Sequence, residues 1–342
     1  MKTEYHLLGH ILSNTDNEEK LKNIFTSEQV NWDEFVKVAS IELMLPASFL
    51  SLKRKNLLRY LPEDLNTYLE EITEINRNRN TTLLSEAKEI TILLKENGIN
   101  HVFIKGIAII ASNPFEDIGF RMIGDIDILI DRNQIDCAFQ LLKTKGYNDL
   151  RPFNYEVKEY RHYPRQISKN KFGAVELHEF LLNSKTNYLL EPFSILKNQL
   201  NDHGIPIPSK ADSIKIAVYT TQINDKHQKI PNVKFKSTYD AMILGLESNQ
   251  ELYKKLNANI FGKLFLDLSS IYFPELKNSI ASNPKSFKYV IFKYLSKRKR
   301  FKHSFIRCLS RFYAVTERLQ LFVSNSSYRK HVFRNKILNI KT

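Results

Sequence analysis

Asp125 and Asp127 stand two residues apart at the head of a β-branched run, Asp125-Ile126-Asp127-Ile128-Leu129-Ile130. In a strand, that period puts both acids on one face and Ile126, Ile128 and Ile130 on the other, toward a core. Two like charges a few ångströms apart raise each other's pKa, and a divalent cation is the common remedy because hard cations prefer oxygen ligands. An Asp-x-Asp at a solvated strand edge needs no metal, so the pair takes its meaning from context. Ala174-Val175-Glu176-Leu177-His178 supplies some of it: a short strand with Glu176 and His178 on one face and Val175 and Leu177 turned to the core. A third carboxylate on a neighbouring strand is what two-metal phosphoryl chemistry uses to complete an ion's shell or to activate an acceptor hydroxyl. Upstream, His101-Val102-Phe103-Ile104 reads as a strand, Lys105-Gly106 as a turn, and residues 107–112 as the opening of a helix. Glycine there lets an anion approach closely, and lysine adds charge.

The order strand, Lys105-Gly106, helix, then Arg121-Met122-Ile123-Gly124-Asp125-Ile126-Asp127, then Gly146-Tyr147 after a helix, then Val175-Glu176-Leu177-His178, resembles the uncharacterised nucleotidyltransferase family of the DNA polymerase β-like superfamily. The likeness extends weakly over most of the chain, but its specific motifs lie between residues 104 and 178. It implies transfer of a nucleoside monophosphate from a nucleoside triphosphate, ATP among them, to an acceptor, with Mg²⁺ or Mn²⁺ as cofactor. On this resemblance Asp125, Asp127 and Glu176 are the metal-binding and catalytic carboxylates. Lys105, Gly106, Arg121 and His178 are the nucleotide-binding candidates. The superfamily's turn is commonly Gly-Ser, whereas this chain has Lys105-Gly106-Ile107; Lys105 would replace the serine contact to phosphate. Arg121 is equally suited to a structural ion pair. His178, and His162 on an adjacent strand, would bind phosphate, orient a carboxylate, or serve as hydrogen-bonded structural histidines. The resemblance also implies that the helical region holding His227 and Asp240 closes over the site.

The elements that must position these groups are legible in outline. Residues 1–97 read as helical: several short helices to residue 60, with a helix start at Asn31-Trp32-Asp33-Glu34, then one long helix from Pro62 to Asn97. Its apolar positions are Leu65, Leu69, Ile72, Ile75, Leu83, Leu84, Ala87, Ile90, Leu93 and Leu94, and Gly98 is its stop. Residues 98–182 form an α/β core with a loop over 113–124, a helix over 133–145, and strands near 160–168 and 174–177. Residues 183–342 read as helical, with no convincing strand after Ser209. The expected fold class is α+β, a small mixed-sheet nucleotidyltransferase core between helical flanks.

Charge separates the last part from the rest. The net charge is +14, yet residues 285–342 hold 16 Lys/Arg against one acid, Glu317, so the remainder is close to neutral. Lys297-Arg298-Lys299-Arg300-Phe301-Lys302 concentrates this charge, and Arg307, Arg311 and Arg318 follow at helical spacing among aromatics. This segment reads as a solvated helix face over a buried aromatic stripe, or as a contact for nucleic acid or an anionic membrane surface. An anionic acceptor would also suit it. Met1 to His6 lacks the apolar stretch of a secretory signal, and no run nears the roughly 18 apolar residues of a membrane span. Cys137 and Cys308 are the two cysteines, too few for a disulfide framework or a cysteine zinc cluster, so a reducing cytoplasm is expected. Three rival readings remain: a silent nucleotide-binding or scaffold protein, a nucleic-acid-binding protein dominated by its basic helix, and a phosphate-ester hydrolase.

Overall fold

The computed structural model describes residues 3–15, 17–27, 30–112, 114–115, 117–156, 160–278 and 285–337, without the side chains of Lys277, Asn278, Lys299, Arg300, Lys336 and Ile337. Two positions of the anticipated loop 113–124, part of the 297–302 basic run and the last five residues of the basic segment thus lie outside the described residues. Helices α1 (Glu4–Leu12), α2 (Glu18–Ser27), α3 (Trp32–Ile41) and α4 (Leu45–Arg54) open the chain. Asn31 starts α3 as expected, its Oδ1 accepting the Glu34 amide at 3.0 Å. Helix α5 (Glu63–Glu96) begins after Pro62 with Glu63 and Asp64 in its first turn, and Gly98 at φ +66° releases the chain beyond it. Its buried row runs Leu65, Leu69, Thr73, Asn76, Asn80, Leu83, Ala87, Ile90 and Leu94. Ile75, expected in that row, is 64% exposed, because it lies about 100° round the helix from the buried Asn76.

A five-stranded mixed sheet follows, built from β1 (His101–Ile104), β2 (Ile126–Ile130), β3 (Asp149–Arg151), β4 (Arg165–Ile167) and β5 (Val175–His178) in the order β1-β2-β5-β4-β3. Strands β2 and β5 are parallel; the other pairs are antiparallel. β1 passes directly into α6 (Lys105–Ala111), so Lys105 and Gly106 are the first helical residues rather than a separate turn. Lys105 takes the left-handed backbone at φ +55° to make this change of direction without an intervening loop. Helix α7 (Ile135–Thr144) lies between β2 and β3. The isoleucines of β2 and the Val175 and Leu177 side chains are buried as alternation requires. Gly173 lets this layer close on α5: an added Cβ would stand 2.6 Å from Ile126 Cδ1 and 2.9 Å from Leu83 Cδ2.

Beyond the sheet, α8 (Pro192–Lys197) leads to a hairpin, β6 (Leu200–Asp202) and β7 (Ile205–Ile207), inside the stretch read as helical. His203 and Gly204, both at positive φ, form its two-residue turn, and Pro206 in β7 disguises the strand in sequence. The remaining elements are helical: α9 (Lys210–Tyr219), a π-turn (Thr220–Asn224), α10 (Phe235–Ile243), α11 (Gln250–Ala258), α12 (Ile260–Ser269), α13 (Glu275–Asn278), α14 (Phe287–Ser296), α15 (Lys299–Ser324) and α16 (Ser326–Val332). Lys302 ties α15 to the N-terminal helices, its ammonium 3.9 Å from the Tyr5 ring centre and hydrogen-bonded to Tyr272 Oη at 3.2 Å. Among the described residues no single helix is long and apolar enough to cross a membrane. The architecture is the α+β fold expected, a mixed-sheet core between helical flanks.

Candidate active site

The polar middle of α5 holds the segment that leads into β2. Asn76 Nδ2 donates to the carbonyls of Gly119 (2.7 Å) and Arg121 (3.0 Å), and Asn80 Nδ2 to those of Ile118 (2.7 Å) and Arg121 (2.8 Å). Arg79 reaches the Ile123 carbonyl, and Arg77 grips Asp117 with two hydrogen bonds. Nearly two helical turns further along the buried side, the Glu86 carboxylate accepts the amides of Phe172 (2.6 Å) and Gly173 (2.7 Å), fixing the turn before β5. A single rigid helix therefore sets both strands that carry the carboxylates. Buried carbonyls need donors, which is why asparagine replaces leucine in this row.

The parallel register sets Asp127 opposite Glu176, and the strand period adds His178 to the same face. Asp127 Oδ1 accepts from Lys105 Nζ at 2.6 Å and from His178 Nε2 at 2.8 Å. Burial alone would raise the Asp127 pKa, but Lys105 and His178 outweigh it and hold the carboxyl well below the usual range. Burial, reinforced by Lys105, lowers the His178 pKa, so its imidazole is neutral and carries its proton on Nε2, facing the ionised Asp127. Arg165 bridges the other two acids, with Nη2 2.7 Å from Asp125 Oδ2 and Nε 2.9 Å from Glu176 Oε1. Burial raises the Asp125 carboxyl; Arg165 opposes that shift, while Glu176 and Asp127 add to it.

The donor set fits a divalent cation. Asp127, Glu176 and His178 each bring one ligand atom to within 4.8 Å of the others, and carboxylate oxygens suit Mg²⁺ or Mn²⁺. For His178 to ligate, its proton would have to move to Nδ1.

Asp125 and Asp127 open onto a cavity of about 360 Å³. Lys105, Gly106 and Arg121 line its sheet side; Arg161, Lys234 and Lys236 line it from elsewhere, together with Thr220 and Asn224 of the π-turn. Gly106 is needed where it stands, since a Cβ would lie 2.8 Å from Ile123 Cγ2 and 3.3 Å from Arg121 Nη1. Arg121 is buried, its Nε and Nη2 each 2.7 Å from an Asp240 oxygen. Burial, with nearby Arg121, pushes the Lys236 ammonium down to about 8.

All seven residues singled out from sequence gather here: Asp127, Glu176 and His178 as one cluster, Asp125 joined to it through Arg165, Lys105 against it, and Gly106 and Arg121 in the adjoining wall. His162 forms a bridge with His178 on the next strand, their rings 5.3 Å apart. Sequence reasoning passed over Arg165, although it lies in the anticipated strand near 160–168. It also missed Arg161, Lys234 and Lys236, and the Asn76/Asn80 pair. The interruption of the α5 apolar row by amides four residues apart was the available signal for that pair.

A mixed sheet that carries an Asp-x-Asp and a later glutamate beside one cleft defines a nucleotidyltransferase-like protein. The chain belongs to the family described as uncharacterised nucleotidyltransferase, whose model matches residues 28–219. Membership points to transferase chemistry with a nucleoside triphosphate. No curated protein matches the chain. Among solved structures it is similar to the crystal structure of an antigenic nucleotidyltransferase-like protein from Paracoccidioides brasiliensis, at 16% identity and a TM-score of 0.37, over 60% of this chain and 95% of that one.

Proposed function

We propose that the protein transfers a nucleoside monophosphate from a nucleoside triphosphate to an acceptor hydroxyl, releasing pyrophosphate. One observation carries this reading: a single cavity has ionisable carboxylates, Asp125 and Asp127, on one wall and the cations Lys234, Lys236 and Arg161 on others. A polyanion that brings its own divalent cation needs both kinds of wall. Asp125, Asp127 and Glu176 would hold the cation, with His178 orienting Asp127 through its Nε2–H. When bound, divalent ions would neutralise the triphosphate oxygens and lower the pKa of the acceptor hydroxyl. Lys236 and Lys234 would hold phosphate oxygens, and Gly106 allows the phosphates to approach the backbone. Arg121, whose guanidinium is committed to Asp240, acts as a positioning residue for this wall. Arg165 would leave its place between Asp125 and Glu176 as a cation enters.

That same Arg165 contact favours a second reading, a silent nucleotide-binding or scaffold protein whose acids are neutralised from within. Calorimetric titration with ATP, GTP, CTP and UTP, with and without Mg²⁺, separates the two. Metal-dependent binding that disappears in Asp125→Asn/Asp127→Asn, and weakens on the order of tenfold in Lys236→Met, supports the transferase reading. Binding indifferent to metal and to the aspartates supports the silent one. A folded wild type that binds no triphosphate overturns the transferase reading and leaves the silent scaffold.

A further inference from the structure

Helix α15 leaves an apolar stripe uncovered. Phe301, Phe305, Phe312, Val315, Leu319 and Val323 recur at intervals that bring them to one face at 3.6 residues per turn, and all six are exposed, Phe301 by 67% and Val323 by 79%. The stripe is roughly 33 Å long at 1.5 Å per residue. A different side of the helix is the one docked to the protein. There Lys302 is buried against Tyr5 and Phe292, Glu317 accepts from Lys226 and Lys229, and Lys229 lies over the Tyr313 ring. Arg307, Arg311 and Arg318 form an exposed row along one border of the stripe. The preceding helix repeats the pattern: Phe287, Val290 and Tyr294 of α14 are exposed at helical spacing, beside exposed Lys288 and Lys293. The sequence reading of this segment as a solvated basic face over a buried aromatic stripe therefore meets a correction, because the aromatics at 301, 305 and 312 face outward.

We propose that the exposed face of α14 and α15 docks on an anionic lipid bilayer. Charge selects this occupant. Residues 285–342 carry 16 Lys/Arg and one acid, which complements anionic headgroups and repels a second copy of the same segment. The phenylalanines would enter the boundary between headgroups and acyl chains while the arginines reach lipid phosphates, the arrangement of an interfacial amphipathic helix. A duplex nucleic acid, whose bases are already stacked, would engage the arginines and leave the aromatic stripe in water. The surface is distinct from the carboxylate cavity, so the inference stands apart from the proposed reaction.

Co-sedimentation of the full chain with vesicles tests it, using phosphatidylcholine alone and phosphatidylcholine mixed with phosphatidylglycerol. The protein should sediment with the anionic vesicles, not the neutral ones, and salt should release it. Phe312→Ser/Leu319→Ser and Arg307→Gln/Arg311→Gln should each lower binding about tenfold, with the thermal transition unchanged because these side chains are exposed. Asp125→Asn/Asp127→Asn should bind vesicles as the wild type does. No sedimentation with anionic vesicles overturns the proposal. So does duplex nucleic-acid binding without vesicle binding that the Ser pair leaves intact, or a dimer in light scattering that the Ser pair dissolves.

Discussion

Arg121 and Asp240 lie 119 positions apart in the chain and meet in a buried, two-pronged ion pair with both N···O distances 2.7 Å. The pair joins the segment before β2 to α10, so the C-terminal helices and the carboxylate strands share one cavity wall. Removing one partner strands a buried charge. Arg121→Ala or Asp240→Ala should therefore cost about 3–5 kcal/mol in urea denaturation, and Arg121→Met/Asp240→Leu much less. Equal losses in the single and double variants would mean that packing, not charge, joins the two regions.

Arg165 neutralises Asp125 and Glu176 together. Because it is 41% exposed, water screens the contacts, and Arg165→Gln should lower stability in EDTA by about 1 kcal/mol. Excess Mg²⁺ or Mn²⁺ should restore the loss, stabilising the variant more than the wild type. Thermal melts with and without metal give the comparison; identical metal effects in both proteins would contradict a shared site for the guanidinium and the ion.

Asn80 donates to two buried carbonyls, those of Ile118 and Arg121. Asn80→Leu would fill the row with an apolar side chain while leaving both carbonyls without that donor, at a cost of about 1–3 kcal/mol. Triphosphate affinity should fall too, since the segment that aims Asp125 would loosen. A stable variant with unchanged affinity would show that Asn76 and Arg79 suffice.

His227 provides a pH test away from the carboxylates. Burial pushes its imidazole down to about 4, against an ordinary value of 6.5. Between those values the unfolded chain binds a proton that the folded chain refuses, so stability falls as pH drops from 6.5 toward 4. One such group contributes at most about 1.4 kcal/mol per pH unit, and His227→Gln should flatten the curve by up to that slope. Superimposable wild-type and variant profiles of urea midpoint against pH would rule this out.

The α+β class, the long α5 and the strand bearing Asp127, with Asp125 just before it, could be read from the chain because periodicity and glycine stops are local properties. Glu176 and His178 could be assigned to one face for the same reason. The short strand β3 and the β6–β7 hairpin could not, since three-residue strands carry too little pattern, and Pro206 argues against one. The basic C-terminal charge was plain in composition, but which aromatics α15 buries and which it presents depends on how the helix docks.

By itself, then, the sequence determined which acids lie on one face, where the long helix stops and where charge accumulates. Only the tertiary structure decided that β2 and β5 pair with Asp127 opposite Glu176, that Arg165 stands between Asp125 and Glu176, and that Asp240 takes Arg121. The physical reason is separation along the chain. Strand register and buried ion pairs join residues tens to more than a hundred positions apart, and they are selected by how the whole chain packs its apolar surface and satisfies its buried polar groups, which no local propensity encodes.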